Sequence, residues 1–164
     1  MEVIAHRQAQ LGVLNRLLPA SQAAVSALHD LAQHSSDPDW KETLISYWQQ
    51  QMRSMIEIEN KIREFGGSVP SGESVTSSSS SSPWSNPFIE KDKILLLNAV
   101  NCCMQVASLY EEIRRTPLAY NVRMMLSLHH AQIQDILKGL NRSCLMHRTH
   151  FFDTLNHPVG ASGV

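Results

Sequence analysis

The chain has 164 residues, enough to bury a core without disulfide or metal staples, and its formal charge of −1 supplies no basic field for nucleic acid or an anionic lipid surface. Aromatic residues make up only 6% against 43% apolar overall, with Leu, Met, Ala and Gln plentiful, which favours helix over sheet. Three cysteines, two of them adjacent, do not fit a secreted disulfide framework, and no run approaches the roughly eighteen apolar residues of a membrane span or forms the apolar core of a signal peptide, so a cytoplasmic chain with reduced thiols is expected.

The first helical region covers residues 3–34, where Leu11, Leu14, Leu18, Val25, Leu28 and Ala32 recur at helical spacing. Pro19 interrupts it by removing one backbone donor, so the spacing predicts a kink there, or two helices with Pro19 opening the second. His34 to Ser36 form a short connector, which places the next helix antiparallel to the first.

The second helix, 38–65, carries the clearest signals. Asp37 is an N-cap, Pro38 occupies the first helical position, where its missing N–H costs nothing, and Gly66 with Gly67 supplies the stop. Leu44, Trp48, Gln51, Met55, Ile58, Ile62 and Phe65 follow at alternating steps of four and three, a bundle seam with Gln51 as its polar exception.

Residues 68–86, with six consecutive serines from Ser77 to Ser82, have the composition of a flexible loop. Extended at roughly 3.3 Å per residue they reach some 60 Å, enough to travel the length of the second helix and start the third at the opposite end. Asn86 and Pro87 open that third helix, 87–115, with Leu95, Ala99, Cys102, Val106, Leu109 and Ile113 as its seam. Thr116 and Pro117 repeat the start signal, so a fourth helix is expected over 117–142 or further, with Val122, Leu126, His129, Ile133, Ile136 and Leu140 inward and a disordered tail over 153–164. The expected fold is therefore all-α, a single four-helix bundle over 1–152 with one long Ser-rich connection between its second and third helices.

The residues also carry a resemblance. VLNRLLPASQAAVSALHDLAQHSSDPDWKETLISYWQQQ, ENKIREFGGSVPSG and SLYEEIRRTPLAYNVRMMLSLHHAQIQDILKGL, in that order and spacing, resemble a bacterial family of ferritin-like four-helix-bundle domains of unknown function, over roughly residues 10–142. Ferritin-like proteins that bind two metals use a Glu on the first and third helices and a Glu-x-x-His pair on the second and fourth. By the register this resemblance implies, those places fall near Gln22, on Gln51 with Ser54, near Cys103, and on Leu126 with His129. One histidine stands where six ligands belong, so the resemblance implies the bundle without its di-metal centre.

No Gly-rich phosphate loop, nucleophile–base order or zinc motif is present, and no catalytic or cofactor-binding residue is assigned. His129 on the inner seam reads as a core histidine with Gln51 as its hydrogen-bond partner, and Cys102 and Cys103 as small buried hydrophobes. The histidine-rich end, with Cys144, His147, His150 and Asp153 at steps of three, turns around the helix too fast for all four to converge. Glu57 and Glu111 read as solvated. Apolar residues in excess of the seams, including Ile45, Ile56 and Leu96, suit a second subunit. The expected protein is a non-catalytic interaction or structural module that forms homo-oligomers or binds a protein partner, not nucleic acid or membrane, with no cofactor. The alternative is a metal-binding stress or oxidoreductase-type protein taking iron, manganese or zinc at an unorthodox site drawn from His129, Cys103 and Glu111, or from Cys144, His147 and His150.

Overall fold

The computed structural model describes residues 2–69 and 87–155, with side chains over 7–69 and 91–144. The Ser-rich segment 70–86, the tail 156–164 and the side chains of His147 and His150 lie outside the described residues. Four helices make up the described structure: α1 (Glu2–His34), α2 (Pro38–Glu64), α3 (Pro87–Ile113) and α4 (Tyr120–Leu155).

α1 runs unbroken through Pro19, so the expectation of two helices does not hold. Both Pro19 and Asn15, whose carbonyl loses its helical donor, are exposed, so the orphaned acceptor faces water and the break costs little. α2 begins as its sequence dictates. Asp37 Oδ1 accepts from the backbone N–H of Asp39 at 3.0 Å and of Trp40 at 3.3 Å. It ends in a Schellman turn: Gly66 donates to Arg63 O at 2.9 Å and Gly67 to Ile62 O at 2.8 Å, with Gly66 at φ 75°. A side chain at Gly67 would crowd Ile62 and Leu11 at 2.8 Å, so the second glycine serves close packing as the first serves the turn.

α4 starts three residues later than its Thr-Pro signal. Thr116 donates its N–H back to Ile113 O at 2.9 Å, residues 117–119 run irregularly so that Leu118 enters the core, and the first bond into α4 runs from Arg123 N to Ala119 O at 2.9 Å. The helix continues to Leu155, past the expected start of the tail at residue 153.

α1 packs on α2 and α3, and α4 packs on α3 and α2, while among the described residues no Cα atoms of the diagonal pairs come within 8 Å of each other. The α2–α4 approach is the loosest of the four. Side chains fix the directions. Tyr47 meets Gly139, Ser54 meets Gln132 and Glu57 meets His129, so α2 and α4 are antiparallel. Arg7 donates to Phe65 O at 2.9 Å, setting α1 antiparallel to α2, and Tyr110 lies beside His129 and His130 across the antiparallel α3–α4 pair. It follows that α2 and α3 point the same way along one diagonal. α3 therefore begins at the end of the bundle opposite to where α2 finishes, about 40 Å away at 1.5 Å per residue.

The core follows the expected seams on α4 at every position, from Val122 to Leu140. On α3 the buried line is Leu96, Ala99, Val100, Cys103, Val106, Ala107, Tyr110 and Ile113. Of the expected seam, Ala99, Val106 and Ile113 are buried, while Leu95, Cys102 and Leu109 are half-buried and the residues after them, Leu96, Cys103 and Tyr110, take the inner places. Leu96, expected on the surface, is consequently in the core.

Candidate functional site

The bundle carries an unusual number of polar groups across its middle. Ser21 on α1, Gln51 and Ser54 on α2, and His129 on α4 are buried, with Cys103 and Tyr110 buried on α3. Helical periodicity brings each of them inward; on α1 the inward residue is Ser21, while Gln22 beside it is only half-buried.

His129 stands at one level of this stretch with Glu57 and Tyr110, and Gln51 lies six residues from Glu57 along α2, about 9 Å of helix rise away. The Nε2 of His129 lies 2.8 Å from Oε2 of Glu57, so the neutral ring donates through Nε2–H and presents Nδ1 as an acceptor. Nδ1 is buried and has no partner. The expected partner, Gln51, is not used, and its own Nε2 is buried without a partner. Glu57 succeeds because its side chain, more than half exposed, reaches inward between α2 and α4, where the helices approach least closely. Burial lowers the His129 pKa from its ordinary value, and the hydrogen bond and charge of Glu57 oppose that only in part.

The other groups are arranged around this pair. Ser54 Oγ donates to Gln132 Oε1 at 3.0 Å, joining α2 to α4 a turn further along. Tyr110 packs edge-on to His129 with ring centres 6.4 Å apart and lies 5.8 Å from the ring of His130. Its hydroxyl is buried without a partner, and burial together with the Glu57 charge pushes its pKa up. His130 lies nearer the surface, with Nε2 3.2 Å from Gln134 Nε2 and 3.4 Å from Glu111 Oε1. Glu111 thus serves His130, not His129. A shallow cleft in the α3–α4 corner, lined by Tyr110, Arg114, Arg123, Ser127 and His130 among others, reaches neither His129 nor Glu57.

These positions bear directly on the proposed ligand sets. Cys103 is seven residues from Tyr110 along α3, about 10 Å of helix rise, so it stands two turns away from the layer of His129. Burial, reinforced by neighbouring Cys102, pushes its thiol up to about 12, far from the thiolate a metal requires. Cys144 is half-buried further along α4. Among the described residues no three of His, Cys, Asp and Glu come together as a cation cage, and the donor set around His129, one imidazole and one rim carboxylate, does not fit a bridged two-metal centre.

Sequence reasoning missed Glu57 and Tyr110. Glu57 lies one step beside the α2 seam and Tyr110 one step beside the line expected for α3, and the only signal for them is the buried polar residue they face. Comparison with protein-family models, with curated proteins and with solved structures gives no match to this chain.

Proposed function

We infer that this chain is a ferritin-like helical bundle without the usual di-metal centre, acting as a non-catalytic, self-associating interaction or structural module of the cytoplasm. The observation that carries this reading is the identity of the inward groups at mid-bundle: three hydroxyls, an amide, a thiol and one imidazole, with a single carboxylate entering from the rim. Neutral amides and hydroxyls do not offset the charge of two hard cations. The arrangement of helices supports the ferritin-like part, because α2 and α3 run parallel on a diagonal and require a lengthwise crossover between them. The closed position of His129 supports the non-catalytic part, since the imidazole best placed for proton transfer is sealed from any soluble substrate.

Exposed Ile45, Ile56, Ile94, Leu97, Met104, Met124 and Leu128 support self-association. Light scattering across a concentration series, paired with elemental analysis of untagged protein, tests the whole reading. The expected result is a mass above the monomer at high concentration and no stoichiometric metal. Retention of one or two equivalents of iron, manganese or zinc returns the metal-binding alternative.

A further inference from the structure

Between the end of α3 and the start of α4 the surface folds into a shallow cleft, and its lining sorts into two chemistries. The floor is apolar. Tyr110, Ile113, Leu118 and Leu126 form it, all four buried, and Leu118 is among them because the connector 117–119 turns inward before α4 begins. The rim is cationic. Arg114 comes from α3 and Arg123 from α4, so each helix of the corner brings one guanidinium, with the hydroxyls of Thr116 and Ser127 and the ring of His130 beside them.

Both guanidiniums are held in place by long bonds. Arg114 Nη1 lies 3.4 Å from each carboxylate oxygen of Glu111, and Arg123 Nη2 donates to Leu118 O at 3.4 Å, so most donors of each planar fork are left for another acceptor. Glu111, which also reaches His130 Nε2 at 3.4 Å, offsets one of the two charges. One positive charge remains. That balance suits a monoanion better than a phosphate dianion, the fork of an arginine matches a carboxylate through two parallel bonds, and an aromatic and apolar floor takes a body that water solvates poorly. We propose that this cleft binds a small monocarboxylic acid with a flat apolar body, its carboxylate between Arg114 and Arg123 and its body on Tyr110 and Leu118. Tyr110 is the wall that the cleft shares with the interior, its ring 5.8 Å from that of His130 and 6.4 Å from that of the buried His129. Binding here uses no chemistry at His129 and is independent of self-association.

The test is a titration of the isotope-labelled full chain with benzoate at constant ionic strength, followed by amide chemical shifts. The expected result is a saturable change confined to the corner, with Tyr110, Leu118, Arg123 and His130 among the residues that move. Arg114→Gln and Arg123→Gln should each weaken binding by about 10-fold or more, and Arg123→Lys should not restore it, because an ammonium cannot reproduce the fork. Arg115→Gln, beside Arg114 in the sequence and outside the lining, should leave binding unchanged. Benzamide has the same ring without the charge and should bind about 10-fold or more weakly than benzoate. That comparison uses the wild type and depends on no variant folding. Benzamide matching benzoate overturns the carboxylate, and inorganic phosphate matching benzoate overturns the apolar body. Shifts that fail to saturate, or that persist unchanged in both Arg114→Gln and Arg123→Gln, overturn the site itself.

Discussion

His129 and Glu57 form a hydrogen bond of 2.8 Å that joins the sealed interior to the surface: the imidazole is 2% exposed and the carboxylate 54%. The asymmetry decides the protonation state. Burial lowers the His129 pKa below its ordinary 6.5, while the half-solvated Glu57 carboxylate is too well screened to restore it. In the unfolded chain His129 takes up a proton near the ordinary value, and in the folded chain it does so only at lower pH. Its contribution to stability is therefore complete above about pH 7, declines as pH falls through 6.5 towards the folded pKa, and is gone below it, with a slope of at most about 1.4 kcal/mol per pH unit. Urea unfolding between about pH 5.5 and 7.5 should show this decline in the wild type and a flatter profile in His129→Gln.

Glu57 matters as an acceptor more than as a charge. Glu57→Ala leaves both ring nitrogens of His129 buried without partners and should cost about 1 to 3 kcal/mol. Glu57→Gln keeps an oxygen in the same place and should cost about 1 kcal/mol or less, while extending the acid-side decline to lower pH, because without the Glu57 charge the folded pKa of His129 falls further. Equal losses in the two variants would show that the carboxylate charge, and not the hydrogen bond, holds the pair.

How much of this was legible in the sequence follows from what each signal encodes. Asp37, Pro38 and Gly66 act through bonds to backbone within a few residues, so both ends of α2 could be read directly. The α4 line from Val122 to Leu140 held because polar residues such as Arg123, Gln132, Gln134, Asp135 and Lys138 flank it and leave little choice of apolar face. Thr116 and Pro117 failed as a start signal because burying Leu118 outweighed beginning the helix at once, a tertiary demand with no local mark. α3 kept half of its expected seam, at Ala99, Val106 and Ile113, while Leu95, Cys102 and Leu109 gave way to the residues after them. It is apolar on nearly every side, so periodicity offers two seams and does not say which one its own bundle covers. The Glu57–His129 pair depends on the register between α2 and α4 and on the loose approach of those helices, and neither quantity is written in either segment alone.

Gln51 was readable as a flaw in the α2 seam, and the structure gives the flaw an energy. Its side chain is buried and its Nε2 donor has no partner, so the folded state carries a desolvated amide that nothing offsets. Gln51→Met keeps the length and flexibility of the side chain and removes the orphaned donor. It should raise stability by about 1 kcal/mol, seen as a higher urea midpoint with an unchanged slope. A loss of stability instead would mean that the amide is hydrogen-bonded in solution, to a water or to a partner chain.

The three thiols should differ in reactivity in the order their burial sets. Cys103 is fully buried and its pKa stands at about 12, so at pH 8 only about one molecule in ten thousand carries the thiolate, and that one is sealed inside the bundle. Cys102 and Cys144 are half-buried, with pKa values raised by burial alone. Under native conditions iodoacetamide should label Cys102 and Cys144 first, and Cys103 only at the rate at which the bundle opens. Mass spectrometry of peptides at successive times resolves the order, with Cys103→Ala as the check on its neighbour. Rapid labelling of Cys103 would place it on an accessible face of α3 and overturn its place in the buried line.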